Sequence, residues 1–513
     1  MLHSWSILAP LAAALLPLTA ASPAPQSTPA SQTTCNGKSY VYSQLAGYGF
    51  VPSDARDRFG DSIGGIGSAI FIDPKSWALA GHGVYTGTLF ALPDRGWNTE
   101  GTLNYQNRVH KFRITLTSKP NATVEKPSGP NLNLAYLDTI RFTDPQGVPT
   151  SGLDANADGP YLTFPGIDFQ LPSVNYTGDG FGGAGPGGHR VVVDSEGLVM
   201  DSQGCFWVSD EYGPYIYRFD PSGIMVAAIQ PPEAFLPHRN GSVSFNSDTA
   251  PYYDPNVTIT PSDPDNGRSN NQGFEGLTIS DDGKSLFALL QSATIQDGGG
   301  HKADRRYARL LHYDITKSPP AAIGEYVVPL PLYSNGSLVA AQSDIHFVSE
   351  TQFLILARDS NAGHGQKSST SLYRHADVFD ISNATNVLGA TYDGVGGSVA
   401  SSKGVLHAGI VPAGYCSFLD YNDNAQLNRF GVRNGGAQGS DLLNEKWESL
   451  ALVPVDGKEG RDGEWFLFSL SDNDFITQEG RLDGGKFTYK DGSGYSLDNQ
   501  ALVFQVKLPK GGK

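Results

Sequence analysis

The chain has 513 residues, and its 36 lysines and arginines are outnumbered by 52 aspartates and glutamates, which gives a formal net charge of −16. Non-specific binding to nucleic acid is excluded as a function, because a phosphate backbone requires a basic protein surface. The 61 glycines, 33 prolines and 11% aromatic residues indicate a turn-rich globular protein, not a fibrous, mainly disordered or multi-pass membrane protein. The length suits three average domains or one large all-β domain.

The N-terminal segment has the pattern of an export signal. Residues 5–18 are almost all apolar, and the small residues 19–22 follow them. This predicts a signal peptide over residues 1–22 and a secreted, extracellular protein. A membrane anchor is the alternative, but an apolar stretch of about 14 residues is shorter than the roughly 20 that span a bilayer. We expect no membrane span elsewhere, a disordered linker over the Pro/Ser/Thr-rich residues 23–34, and a mature domain over residues 35–513.

Six Asn-X-Ser/Thr sequons support export and predict N-linked glycans. Each of them also predicts a surface loop, because the acceptor must be accessible. The sequons begin at Asn121, Asn175, Asn240, Asn256, Asn335 and Asn383.

Three cysteines are too few for a disulfide framework, so a core of normal size must stabilise the protein. Cys205 begins the apolar run 205–208 and is expected to be a buried thiol. This favours a disulfide between Cys35 and Cys416, while the pairs 35–205 and 205–416 remain alternatives.

Short apolar or alternating runs, each ended by Gly, Asp, Asn or Pro, recur along the chain and predict β-strands. At least five units share one form, in which a first, a second and a third run follow one another, and tight turns are predicted at 194–197 and 281–284. The five units are 68–74, 88–97 and 108–116; 190–194, 205–210 and 216–220; 276–280, 285–291 and 309–314; 344–348, 352–359 and 376–380; and 449–454, 465–472 and 501–508.

Repeated antiparallel units of this kind are typical of a β-propeller. The chain length and the wide spacing predict one all-β propeller of about six four-stranded blades, within a range of five to seven, with long loop insertions. The alternative fold is a pair of β-sandwiches. The shared turns and the shared ending of the third run favour the propeller.

Polar residues stand at one place in each unit, where the second run ends. They are Asp94-Arg95, Asp210-Glu211, Gln291-Ser292, Arg358-Asp359 and Asp472-Asn473-Asp474, and a second set, Glu275, Asp344 and Glu448, stands at the start of first runs. In a propeller these groups would collect near the axis, where carboxylates repel one another unless a cation neutralises them. Oxygen ligands of this kind favour Ca²⁺, or Mg²⁺ with retained waters.

The two arginines of this set have two interpretations. Arg95 and Arg358 would pair with the acids, or they would hold an anionic substrate through two parallel hydrogen bonds. The alternative to a binding site is a ring of salt bridges that only closes the propeller.

Four motifs coincide with these strand ends, in the order Ala91-Leu-Pro-Asp-Arg-Gly96, residues 206–220, residues 271–292 and Asp472-Asn-Asp-Phe475. Together they resemble the motifs of the phytase-like family, named for "esterase-like activity of phytase", and the resemblance extends over about residues 47–508. It implies a fold similar to that of the calcium-dependent β-propeller phytases, whose acidic channel binds Ca²⁺ and phosphate. Two positions depart from the family pattern: Ala357 stands where Glu is common, and Ser449 where Gly is common.

The resemblance implies a secreted hydrolase of phosphate esters or related esters, with a small anionic or ester substrate and one or more Ca²⁺ ions. Glu275 or Glu211 would be the general base, and Arg95 and Arg358 would stabilise charge on the transferred or leaving group. The implied metal ligands are Asp94, Asp210, Glu211, Glu275, Asp359, Glu448 and Asp472.

Two other functions fit the sequence. One is a non-catalytic extracellular propeller that binds a glycan or a protein. The other is a calcium-dependent lactonase or carboxyl esterase on a similar propeller.

Overall fold

Five antiparallel sheets, here called blades 1 to 5, follow one another along the chain of this computed structural model. The structure describes Met1, residues 28–457, Gly460 and residues 463–509. The predicted signal peptide and most of the predicted linker therefore lie outside the described residues. The blades form a propeller-like ring, so the all-β prediction is confirmed, but the prediction of six blades was wrong.

The strands of each blade are antiparallel neighbours. Blade 1 has Ala69–Ile72, Val84–Leu92, Arg108–Thr117 and Leu132–Arg141, with Ala78–Gly81 beside the second strand. Blade 2 has Ser195–Met200, Phe206–Asp210, Ile216–Phe219 and Met225–Ile229. Blade 3 has Phe274–Ile279, Ser285–Leu290, Tyr307–Asp314 and Ala321–Pro329. Blade 4 has Ala341–Phe347, Gln352–Arg358, Arg374–Asp380 and Gly414–Asp420.

Blade 5 joins the two ends of the chain. Its strands are Lys446–Trp447 and Ala451–Pro454, then Glu464–Asp472, Asn499–Lys507, Lys38–Val51 and Ser31–Cys35. The long N-terminal strand pairs with the C-terminal strand from Val41 opposite Lys507 to Val51 opposite Asn499. The ring is thus closed by hydrogen bonds between distant parts of the sequence. Residues 31–34, at the C-terminal end of the predicted linker, belong to the strand Ser31–Cys35.

The hydrophobic core lies between adjacent blades. One cluster of buried side chains fills each of the five interfaces, from blades 1 and 2 around to blades 5 and 1. The second strands are covered on both faces, which explains continuous apolar runs such as Ser285–Leu290, where only Ser285 is not fully buried. Burial of this apolar surface between the sheets is the main stabilising contribution to the ring.

The five predicted units correspond to the five blades, with one error of position. In blade 2 the first strand is Ser195–Met200, not residues 190–194, and its hairpin turns at 201–204 instead of 194–197. The predicted turn at 281–284 is confirmed. The length that suggested a sixth blade is used in long connections, such as residues 230–273 and 421–445.

The long connections contain only short elements. The helical ones are Glu233–Phe235, Ile295–Asp297, Ala390–Asp393, Asn424–Leu427 and Asn428–Phe430. The small hairpins are Leu162–Phe164 with Ile167–Leu171, Ser173–Tyr176 with Gly188–Val191, His238–Arg239 with Ser242–Val243, Leu332–Tyr333 with Leu338–Val339, and Gly480–Leu482 with Phe487–Tyr489. Among the described residues, no helix has the length and apolar character needed to cross a membrane.

A disulfide links Cys35 to Cys416, as the sequence favoured, and Cys205 is a buried free thiol. Cys35 ends the outermost strand of blade 5, and Cys416 lies in the outermost strand of blade 4. The disulfide therefore connects two neighbouring blades at the outer edge of the ring. All six sequon asparagines are exposed, as glycan acceptors must be, while glycosylation itself stays a prediction.

Candidate functional site

The ends of the strands determine where the acidic side chains lie. In an antiparallel hairpin the first strand begins where the second strand ends. Both polar sets of each blade therefore lie at the same end of the strands, on one face of the ring. In blade 2, Ser195 pairs with Asp210 and Gly197 with Ser209, which leaves Glu196 as the extra residue of a β-bulge. Bulges of this kind turn a side chain out of the normal alternation of a strand.

Blade 3 repeats this arrangement. Phe274 pairs with Leu290 and Gly276 with Leu289, so Glu275 is again the extra residue of a bulge. The glycine that follows each bulged glutamate lies against the next blade. A Cβ on Gly197 would lie 2.6 Å from Cβ of Leu277, and one on Gly276 would lie 2.9 Å from Oε1 of Gln342. Glycine is thus needed for the close approach of the innermost strands, and this approach brings the glutamates together.

Eight carboxylates gather at this end of the ring, and we call them the carboxylate ring. They form overlapping groups of three whose nearest oxygens lie within 4.8 Å of one another, and Glu448 adjoins these groups through Lys446. The groups are Asp94, Asp472 and Asp474; Asp94, Asp194 and Glu196; and Glu196, Glu211 and Glu275. Because Asp94 and Glu196 each belong to two groups, the three groups form one continuous acidic surface.

Basic side chains neutralise one part of the carboxylate ring. Nζ of Lys446 lies 2.8 Å from Asp474 and 3.2 Å from Asp472. Arg358 pairs with Glu448 and lies 3.9 Å from Glu445. On the blade 1 side, Nη1 of Arg95 lies 3.0 Å from Oδ2 of Asp194 and 3.4 Å from the hydroxyl of Tyr212.

The other part of the ring has no such partner. Within the described parts of the chain, Glu196, Glu211 and Glu275 form no salt bridge with any lysine or arginine. Both carboxylate oxygens of Glu211 and Oε2 of Glu275 are buried and lack a hydrogen-bond partner among those residues. A buried carboxylate in this state has a high free-energy cost unless it is protonated or bound to a cation.

The pKa values show the same cost. Burial, with a contribution from the charge of neighbouring Glu211, raises the pKa of Glu275 well above its usual value. Burial, with a contribution from the charge of Glu275, likewise raises the pKa of Glu196 well above its usual value. Burial raises the pKa of Glu211 to about 7, against the lowering effect of Arg95. Burial also raises the pKa of Asp194 to about 7. At neutral pH these groups therefore bind protons or require a cation.

Two of the predicted metal ligands are placed differently. Asp210 accepts hydrogen bonds from the backbone N–H groups of Asp194, Tyr212 and Gly213 and from the hydroxyl of Tyr217, at 2.9 to 3.2 Å. Asp359 accepts from the hydroxyl of Ser371 at 2.7 Å and from a backbone N–H. Their oxygens are occupied by local structure, and neither residue belongs to a group of converging carboxylates.

Asp344 has a similar structural use. It accepts hydrogen bonds from the backbone N–H of Ile345 at 2.8 Å and of Leu450 at 2.7 Å, and so connects blade 4 to blade 5.

The structure does bring together the remaining predicted residues. They are Asp94, Arg95, Glu211, Glu275, Arg358, Glu448 and Asp472.

Three members of the site were missed by the sequence reasoning, which are Asp194, Glu196 and Lys446, while Asp474 belonged to the predicted polar set but was not named as a metal ligand. Glu196 had a usable signal, since Glu-Gly-Leu occurs at both 196–198 and 275–277. Lys446 had none, because sequence spacing does not show that Nζ lies within 4 Å of Asp472 and Asp474 of its own blade and of Asp94 of blade 1.

The family model described as "Phytase-like: Esterase-like activity of phytase" matches residues 78–475. This is more than half of the chain, which therefore belongs to the phytase-like family. A relative from the fungus Arthroderma benhamiae, "Uncharacterized secreted protein", is 52% identical over 462 residues, which cover 88% of this chain and 90% of the relative.

Two solved structures are distant matches. A luciferin-regenerating enzyme overlaps with a TM-score of 0.27 at 10% identity, covering 88% of this chain and 94% of that chain. A gluconolactonase from Xanthomonas campestris gives a TM-score of 0.27 at 9% identity, over 92% of this chain and 91% of that chain. Overlaps this weak carry no argument about activity.

Proposed function

We propose that this protein is a secreted hydrolase of phosphate esters or related esters whose carboxylate ring binds a divalent cation. The observation that carries the proposal is the convergence of Glu196, Glu211 and Glu275 without a basic partner among the described residues. Export is supported by the predicted signal peptide and by the name of the 52% identical relative.

The donor set fits a hard cation. It consists of carboxylate oxygens alone, and Ca²⁺ prefers such ligands, as does Mg²⁺ with retained waters. Glu196, Glu211 and Glu275 would hold the cation, because their charge is otherwise not compensated by an ion pair within the described chain. When bound, the cation would offset this charge and polarise the ester oxygen of the substrate.

Glu211 is our choice of general base. Neither of its oxygens accepts a hydrogen bond from an N–H group or a hydroxyl among the described residues, so one remains to accept a proton when the other is bound. Burial raises its pKa to about 7 in the cation-free protein, and a bound cation would lower this pKa, so that Glu211 would be ionised and able to accept a proton at neutral pH. The backbone N–H of Glu211 donates to the carbonyl of Asp194 at 3.0 Å, which fixes the position of this residue.

Arg95 and Arg358 are the groups that would stabilise negative charge on the substrate. Asp194 and Tyr212 hold the guanidinium of Arg95, and Glu448 holds that of Arg358. The Nε atoms of both arginines are buried without a hydrogen-bond partner in the described chain. Preorganised donors of this kind stabilise charge that develops in a transition state.

A substrate panel tests this proposal. The purified full chain is assayed with phytate, p-nitrophenyl phosphate, p-nitrophenyl acetate and lactones, each with chelator and with added Ca²⁺. We expect hydrolysis of a phosphate ester that stops with chelator, returns with Ca²⁺ and falls by about 100-fold or more in Glu211→Gln. The matched control, Glu350→Gln, changes an exposed glutamate and should retain full activity.

Other outcomes would change the assignment. Hydrolysis of carboxyl esters or lactones alone would make the protein a carboxyl esterase or lactonase. No hydrolysis of any substrate would favour the binding propeller. Full activity after exhaustive chelation would contradict the role of the cation.

A further inference from the structure

Lys446 stands inside the carboxylate ring. It lies in the first short strand of blade 5 and pairs there with Asp472 across the sheet. Its Nζ has carboxylate oxygens on several sides, since Asp474, Asp472, Asp94 and Glu448 lie at 2.8, 3.2, 3.8 and 3.8 Å. Its side chain is 25% exposed. Four carboxylates so close to one ammonium group favour its charged form.

The charge around the ring is therefore divided unequally. Lys446 and Arg358 offset the part formed by Asp94, Glu448, Asp472 and Asp474. The part formed by Glu196, Glu211 and Glu275 has no ion pair with a described basic residue. Nevertheless Asp94, Asp472 and Asp474 converge as closely as the three glutamates do, with oxygens within 4.8 Å of one another. The two parts differ in the lysine, not in the spacing of their oxygens.

We propose that Lys446 is the internal counter-ion of the carboxylate ring, and that its ammonium group occupies the place of a second divalent cation between Asp94, Asp472 and Asp474. The ring accordingly takes one exchangeable cation, at Glu196, Glu211 and Glu275. This inference rests on the proposed function, which supplies that first cation. An ammonium group on a flexible stem is a compact point charge, and it satisfies carboxylate oxygens without a defined coordination geometry.

Removal of the lysine charge should allow a second divalent cation to bind between Asp94, Asp472 and Asp474. In Lys446→Met the side chain keeps a similar length but loses its charge. Asp94, Asp472 and Asp474 then lie together without a basic partner among the described residues, while Glu448 keeps its ion pair with Arg358. Ca²⁺ is the probe. The binding stoichiometry of the full chain is measured by isothermal titration calorimetry at pH 7.5 after removal of metals. The control is Lys486→Met, which changes an exposed lysine that forms an ion pair with Asp483.

We expect one Ca²⁺ per chain in the wild type and in Lys486→Met, and two per chain in Lys446→Met. One per chain in both the wild type and Lys446→Met would overturn the inference but leave the proposed function intact. Two per chain in the wild type would overturn it as well. None in the wild type and one in Lys446→Met would support the counter-ion and contradict the proposed cation site, and none in either protein would contradict both.

A second variant covers the case in which Lys446→Met does not fold. Asp474→Asn removes one carboxylate from the side that Lys446 occupies, so the stoichiometry should remain one Ca²⁺ per chain, with affinity changed less than about threefold. Loss of the bound Ca²⁺ in Asp474→Asn would show that the exchangeable cation lies on the Lys446 side, and would overturn the inference.

Discussion

Glu196 of blade 2 and Glu275 of blade 3 occupy equivalent positions, since each is the extra residue of a bulge at the start of an innermost strand. Each is followed by Gly-Leu, and the glycines allow the two strands to approach closely. The repeat of the blades thus places two glutamates side by side, and Glu211, which follows the second strand of blade 2, completes the group. The repeat of the blades, with one bulge at the start of each of these two strands, is enough to build this acidic site.

Neutral substitutions of these two glutamates should weaken cation binding. For Glu196→Gln and Glu275→Gln we expect Ca²⁺ affinity to fall by about 100-fold, or about 2.8 kcal/mol, because each removes a charged ligand. The rise in melting temperature on addition of Ca²⁺ measures the Ca²⁺ affinity of each variant. Without metal, both variants should melt at least as high as the wild type, since a repelling buried charge is gone. Wild-type affinity in both variants would refute the assignment, and Glu350→Gln is the control.

The pH dependence of stability should reveal the raised pKa of Glu211. Its folded pKa of about 7 lies above the usual value for a glutamate, so the folded state favours the protonated form. This contribution to stability is complete at pH 4 and is lost as the pH rises through 7. The gain in melting temperature of metal-free Glu211→Gln over wild type should therefore be small at pH 5 and larger at pH 8. A gain that shrinks with rising pH would contradict the burial of this charge.

Much of the fold could be predicted because the second strands are buried on both faces and appear as unbroken apolar runs. The outermost strands were not assigned. Leu132–Arg141 has the alternating burial of a half-exposed strand, but it lies outside the three apolar runs that defined each unit. The blade number was wrong because length does not distinguish a sixth blade from long connections. The N-terminal closing strand depends on pairing with residues 499–507, which no local pattern reveals.

The site was predicted in part for similar physical reasons. Acids after apolar strands gather where the repeat predicts, as Asp94 and Asp472 do. Asp210 follows the same pattern but uses its oxygens to hold the turn beside it. Glu196 was overlooked because Asp, Ser and Gly around it have the composition of a turn. Which carboxylates have basic partners depends on contacts between blades, and sequence spacing does not contain that information.

Gly273 should be intolerant of any side chain. A Cβ at this position would lie 2.4 Å from Cα of Glu211, which only a backbone shift could relieve. We expect Gly273→Ala to displace Glu211 and to lower both Ca²⁺ affinity and ester hydrolysis at least about 10-fold. Gly129→Ala is the matched control, since a Cβ there meets nothing within 4 Å. Equal behaviour of the two variants in calorimetry and in the hydrolysis assay would disprove the positional role of Gly273.

The disulfide should stabilise the ring at its outer edge. Replacing Cys35 and Cys416 together by Ser should cost about 2–5 kcal/mol of unfolding free energy, because the bond ties the outermost strand of blade 5 to blade 4. Denaturant unfolding followed by tryptophan fluorescence measures this loss. Cys205→Ala, which removes a buried thiol outside the disulfide, should cost less. A double variant as stable as the wild type would contradict this role.

The most direct test is to locate the cation. Crystals of the full chain soaked in Mn²⁺ at pH 7.5 are measured for anomalous scattering at the manganese edge. We expect one strong peak at roughly 2–2.5 Å from carboxylate oxygens of Glu196, Glu211 and Glu275, and none between Asp94, Asp472 and Asp474. A peak only beside Lys446, or no peak at the three glutamates in the presence of saturating Mn²⁺, would contradict this expectation.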